Sequence, residues 1–128
     1  MDTSALFAVQ DADAGEHKRA AHWFRLSFED ETRLITHNYV VVESAALAHR
    51  RLGAAAVRSL LQDLLPSISV AFVTPDLHSR GVSAYLASLT RGTSLVDLVS
   101  FEYMRDEHLT TAFAFDRDFS GQGFVLVP

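Results

Sequence analysis

Cysteine is absent from the 128 residues. That excludes disulfides and thiolate metal centres, and it fits a chain kept in a reducing compartment. No apolar run approaches the roughly 18 residues that a membrane-spanning helix needs. The opening Met1-Asp2-Thr3-Ser4 has neither a basic nor an apolar leader, so a cytoplasmic protein without a membrane partner is expected. No like-charge run is long enough to be a tail, and neither a repeat nor a low-complexity linker interrupts the chain. One domain over residues 1–128 is therefore expected.

Several catalytic signatures are also missing. There is no GxGxxG, no Walker lysine and no HExxH. Ser4 and Ser94 lack a nucleophile-elbow context. The six histidines (His17, His22, His37, His49, His78 and His108) are scattered and read as surface or core-edge residues. Trp23 and the phenylalanines read as core rather than as a base-stacking platform.

What remains is a globular composition, 48% hydrophobic, with a formal charge of −5. An acidic balance argues against a nucleic-acid partner, whose phosphates favour a basic surface. The argument weakens if several acids share one metal site, because bound divalent cations would cancel much of the excess. Arg91, Arg105 and Arg117 could then form a basic rim.

The chain alternates helical periodicity with short apolar segments. Asp2 or Ser4 can cap a helix over Ala5–Val9. Glu16–Phe28 is helical, with Ala20, Ala21, Phe24 and Phe28 on one face. Arg33–Thr36 is a strand candidate. Asn38 can cap a helix over Tyr39–Leu52, which Gly53 ends. A helix over Ala54–Leu65 stops at Pro66, and Ile68–Val73 is a strand. Thr74-Pro75-Asp76 starts a helix that runs to about Leu89, and Arg91-Gly92 is a loop. Leu95, Leu98, Val99, Met104 and Leu109 mark a further helix. Thr111–Phe115 reads as a buried strand, and Gly121–Val127 as a turn and a short strand. This order argues an α/β sandwich with a mainly parallel sheet.

Carboxylates fall at informative places on that frame. Glu43 has Tyr39, Val40, Ala46 and Leu47 as its helical neighbours, so it lies on an apolar face. There it needs either an ion-pair partner or a metal, unless the helix turns it to solvent. Asp97 sits in a first helical turn, with Thr93, Ser94 and Ser100 on its face. It is either a simple first-turn acid or part of a site. Asp116 follows the last aromatic strand, at the strand end where ligands bind in parallel sheets, and Asp118 follows it. Asp2 stands at the front. Acids gathered together raise one another's proton affinity, and hard divalent cations such as Mg²⁺ or Mn²⁺ relieve this through oxygen ligands. Two such ions about 4 Å apart would activate a water and stabilise a leaving phosphodiester oxygen.

Four segments carry a family resemblance: Asp2-Thr3-Ser4-Ala5-Leu6; Thr36-His37-Asn38-Tyr39-Val40 leading to Glu43; Ser94-Leu95-Val96-Asp97 with Ser100-Phe101; and Phe115-Asp116-Arg117-Asp118-Phe119. In this order the chain resembles the PIN domain, and within it the VapC-type toxins of bacterial toxin–antitoxin pairs. The resemblance implies a three-layer α/β/α sandwich with a central, mainly parallel sheet, and a Mg²⁺- or Mn²⁺-dependent endoribonuclease cutting structured RNA such as transfer RNA or a ribosomal RNA loop. It implies Asp2, Glu43, Asp97 and Asp116 as catalytic and metal-binding acids and Asp118 as a further ligand. Ser4, Asn38 and Ser100 match positions that support the site by hydrogen bonding. A VapB-type antitoxin and a homodimer are the implied partners. The family has several apolar residues before its first Asp, whereas Met1 alone precedes Asp2 here, so a natural start a few residues earlier is expected. Two other readings use the same acids: a non-catalytic PIN scaffold that binds RNA or protein, and a phosphatase acting on small phosphate esters.

Overall fold

The computed structural model describes residues 1–89 and 92–128. Helix α1 (Thr3–Gln10) opens the fold. It starts where it does because Asp2 caps it, its side chain accepting the Ser4 amide. Helix α2 (His17–Glu29) follows. Strand β1 (Ile35–His37) then leads directly into α3 (Asn38–Leu52). Gly53 ends α3 with a φ of 88°, a conformation that suits glycine.

The helix expected over Ala54–Leu65 is correct only in its first half. Regular α4 covers Ala54–Ser59, then widens into a π turn (Leu60–Leu64) and tightens into a 3₁₀ turn (Leu65–Ser67). Pro66 has no amide hydrogen, so the ladder cannot continue through it. Strand β2 (Ser69–Ala71) comes next, shorter than expected. Helix α5 (Pro75–Ala87) has Thr74 as its cap and proline in its first turn, as its sequence indicates. Helix α6 (Leu95–Asp106), strand β3 (Thr111–Phe113), the short α7 (Asp118–Gly121) and strand β4 (Val125–Val127) complete the chain.

All strand pairing among the described residues is parallel. β1 pairs with β2, placing Thr36 opposite Val70, and β3 pairs with β4, placing Ala112 opposite Leu126. The two pairs are separate half-sheets. Met1 and Asp2 bridge them: the Met1 amine donates to Ile35 O at 2.6 Å, and the Asp2 amide donates to Phe113 O at 3.0 Å. Beyond that bridge lies a cleft of about 320 Å³, lined in part by Met1, Ile35, His37, Ser100 and Phe113.

β3 shows why helices cover both faces. Its side chains alternate. Phe113 joins a core with Ala5, Leu6, Leu34, Val40, Leu60 and Ile68. Ala112 and Ala114 join a second core with Leu98, Phe101, Met104, Phe119 and Phe124. A sheet with a separate apolar core on each face is the middle layer of an α/β/α sandwich. On one side α5 packs tightly on α6, and a Cβ added at Gly81 would stand 2.5 Å from Val99 Cγ2. Arg80 ties the same pair together through Asp76, Glu102 and Asp106.

Candidate active site

Each acid owes its place to a nearby local structure. Asp2 is 5% exposed. Its Oδ2 accepts from the Ser4 amide at 3.1 Å and the Ser4 hydroxyl at 2.9 Å. Ser4 Oγ also accepts from the Phe115 amide at 2.9 Å, tying Asp2 to the chain that leads from β3 to Asp116. Asp2 Oδ1 is buried with no hydrogen-bond partner among the described residues. Burial pushes the Asp2 carboxyl above its ordinary proton affinity, against the hydrogen bonds from Ser4 that favour its charge.

Asp97 sits in a capping box at the start of α6. Its amide donates to Ser94 Oγ, and its Oδ2 accepts from the Ser94 amide at 2.9 Å and from the Ser94 hydroxyl at 2.6 Å. The first-turn reading of Asp97 thus holds, and the capping bonds use Oδ2 alone among its carboxylate oxygens. Desolvation raises its proton affinity, and the charges of Asp2 and Asp116 raise it further. Asp2 and Asp116 are thus near enough to Asp97 for their charges to act on it.

Glu43 is half-buried on α3, and its Oε2 accepts from Thr3 Oγ1 at 2.6 Å. The threonine beside Asp2 thus draws Glu43 toward the other acids, and no Arg or Lys pairs with it among the described residues. Asp116 is exposed, and its Oδ1 accepts from the Asp118 amide at 2.9 Å. Asp118 points elsewhere in its bonding: its Oδ2 accepts from Thr93 Oγ1 at 2.7 Å, clasping α7 to the approach of α6.

The three supporting residues divide. Ser4 bonds an acid directly. Asn38 does not, and it is not the helix cap either. His37 caps α3 by accepting from the Val40 amide, while Asn38 Oδ1 accepts from the Val73 amide at 2.8 Å. The strand-to-helix junction comes one residue earlier than the sequence indicates, which turns Asn38 toward the end of β2. Ser100 bonds His37 and Val96 O, not a carboxylate.

Other expectations also shift. His37 is 3% exposed and lies deep between elements, so it is no core-edge histidine. Phe72 is 79% exposed and Phe28, at the end of α2, is 47% exposed, so neither belongs to the core to which the phenylalanines were assigned. Of the basic rim, Arg91 lies outside the described residues. Arg105 is held by Glu102 and Gln122, and Arg117 stands exposed beside Asp116. Thr3, which donates to Glu43 from 40 residues away, is a contact that acid spacing alone does not single out.

Among the described residues no three His, Cys, Asp or Glu side chains close to a geometry that would hold one ion. The chemistry of the donors nonetheless fits a hard cation. All are oxygens, one is a buried Asp2 atom without a partner, and the carboxylates oppose one another's ionisation.

A buried and exposed carboxylate set at one end of a parallel α/β/α fold defines a class of protein, and the PIN-domain family model matches residues 1–125. The chain belongs to the PIN-domain family. It is 35% identical over 128 residues to the 23S rRNA-specific endonuclease VapC20 of Mycobacterium tuberculosis, from strains CDC 1551 / Oshkosh and ATCC 25618 / H37Rv, covering 99% of this chain and 95% of the relative. The crystal structure of M. tuberculosis VapC20, described as a sarcin-ricin loop cleaving toxin, superposes with a TM-score of 0.84 at 31% identity. That match covers 97% of this chain and 94% of that one.

Proposed function

We propose that the protein is a metal-dependent endoribonuclease, the toxin of a toxin–antitoxin pair, cutting a structured ribosomal RNA loop of the sarcin–ricin type. The observation that carries this reading is Asp2: a buried carboxylate with one oxygen unpartnered, set beside Asp97 and Asp116 in a PIN domain. The VapC20 likeness supports both the chemistry and the target class.

Asp2, Asp97, Asp116 and Glu43 would hold Mg²⁺ or Mn²⁺, with Asp118 steadying the approach to Asp97. When bound, the metal supplies an activated water and offsets charge at the scissile phosphate. The protein's own share is orientation. Ser4 and Ser94 each fix one carboxylate oxygen of Asp2 and Asp97, and Thr3 fixes one of Glu43. Arg117, exposed next to Asp116, is placed to meet an RNA phosphate.

A VapB-type antitoxin would act by covering these acids in the cytoplasm, and a second copy of the chain would complete the assembly. Val42 (69% exposed) and Phe72 (79% exposed) are large apolar side chains left to solvent and are suited to a homodimer face. No helix among the described residues is long and apolar enough to cross a membrane.

The test is incubation with intact ribosomes and total RNA in Mg²⁺ or Mn²⁺, mapping new 5′ ends by sequencing. Discrete cuts, lost with EDTA and with Asp97→Asn, are expected. Tight RNA binding without any metal-dependent cut would favour the non-catalytic scaffold instead.

A further inference from the structure

His37 is a buried polar group that the chemistry above does not use. It closes β1 and stands immediately before α3. Its Nδ1 accepts from the Val40 amide at 3.4 Å, and its Nε2 lies 2.8 Å from Ser100 Oγ. Ser100 Oγ donates its only proton to Val96 O at 2.9 Å. That fixes the remaining protons. Nε2 carries the hydrogen and donates to Ser100, while Nδ1 is bare and accepts from Val40. One neutral tautomer satisfies every partner. Burial lowers the proton affinity of the ring to about 4, so this tautomer persists at neutral pH. Tyr39 and Tyr103 meet the ring edge-on, at 6.2 and 6.1 Å between centroids, and limit its rotation.

The two ends of this bridge lie close in sequence to the acids. Val40 is three residues before Glu43, one turn along α3. Ser100 is three residues after Asp97, one turn along α6. Among the described residues no other side-chain hydrogen bond joins the β1–α3 junction to α6. Glu43 and Asp97 belong to different helices, and their separation depends on how these helices are pinned together.

We infer that His37 is a positioning residue of the ribonuclease site, a strut that sets the separation of Glu43 on α3 from Asp97 on α6. The inference rests on the nuclease reading above. Misplacing a catalytic group by about 1 Å can lower a rate on the order of 10²-fold, so a lost strut acts on turnover more than on RNA binding.

The test compares wild type, His37→Asn, His37→Gln, Ser100→Ala and the double variant H37N/S100A on a sarcin–ricin loop oligonucleotide with Mn²⁺. Asn puts an amide where Nδ1 stands, keeping the cap on Val40 and losing Ser100. Gln puts one where Nε2 stands. We expect kcat for His37→Asn to fall at least tenfold with KM changed less than twofold, and the melting temperature to stay within a few degrees. His37→Gln should recover most of that loss. Ser100→Ala should match His37→Asn, and the double variant should lose no more than either alone. Wild-type kcat in His37→Asn, or a double variant whose loss is the product of the single losses, would overturn the strut. If His37→Asn does not fold, Ser100→Ala and His37→Gln decide the matter by the same criteria. An uncut oligonucleotide with wild type removes the nuclease reading and the strut with it, which is distinct from cleavage that ignores His37.

Discussion

Gly81→Ala probes how closely the helix bearing Asp97 is held. The added Cβ would stand 2.5 Å from Val99 Cγ2 and 3.5 Å from Val99 Cα. Carbon atoms prefer roughly 3.5–4.0 Å, so the first contact is short by about 1 Å or more. Val99 is fully buried and cannot swing into solvent. Either its side chain leaves its rotamer or α5 and α6 separate. Overpacking of this kind destabilises by about 1–3 kcal/mol, and alanine's helix preference over glycine returns about 0.8–1 kcal/mol. The net loss is on the order of 1 kcal/mol, at most about 2. For a chain of this length that lowers the melting temperature by roughly 3–10 °C. Because Val99 is two residues from Asp97, separation of the helices should also slow RNA cleavage. Thermal unfolding and urea titration of Gly81→Ala, Val99→Ala and the double variant measure the effect as a cycle. In the Val99→Ala background the clash is gone, and Gly81→Ala should be neutral or stabilising. A Gly81→Ala protein as stable as wild type with Val99 intact would refute the packing argument.

Further outcomes follow from the polar groups. His37 has its proton affinity lowered from 6.5 to about 4, so the unfolded chain binds that proton more readily than the folded one. Its contribution to stability is complete above about pH 6.5 and is lost as pH falls toward 4, amounting to roughly 3 kcal/mol at about 1.4 kcal/mol per pH unit. Asp2 and Asp97, with raised proton affinities, act in the opposite direction, so the quantity to measure is the difference between wild type and His37→Asn in urea titrations from pH 7.5 to 4.5. On acidification the balance should move toward His37→Asn by most of that amount, and a constant difference would contradict it. Mn²⁺ at about 100 times its Kd should stabilise the protein by about 2.7 kcal/mol. The shift should vanish with EDTA and in Asp2→Asn, as read by differential scanning fluorimetry. Phe72→Glu should shift the protein from dimer to monomer in sedimentation velocity, and an unchanged species would remove this face from the assembly.

The legible parts of the fold were those whose causes are local. Asp2 capping α1, Thr74-Pro75 starting α5 and Asp97 in the first turn of α6 are set by contacts over two to four residues, so the spacing of residue types is enough to find them. Strand ends were less legible. Thr111–Phe113 and Ser69–Ala71 are both shorter than their apolar runs, because a strand lasts only as long as its neighbour pairs with it. The π turn at Leu60–Leu64 left no mark in periodicity, since one extra residue per turn hardly disturbs an apolar pattern.

The site shows the same division. Residue type and spacing marked Asp2, Glu43, Asp97 and Asp116 as candidates, since acids at element ends and on apolar faces are costly without a purpose. The four-segment order also carried the PIN resemblance that the family match bears out. Only the tertiary structure decided which acid oxygens are taken and which are free. Asp118 turned out to bind Thr93, Asn38 to bind the end of β2, and Glu43 to bind Thr3 from 40 residues away. His37, one of six scattered histidines in the chain, became a buried link to Ser100 across 63 residues. Local capping and periodicity are written in neighbouring residues, whereas hydrogen bonds between distant segments exist only once packing has brought those segments together and removed the water that would otherwise compete for them.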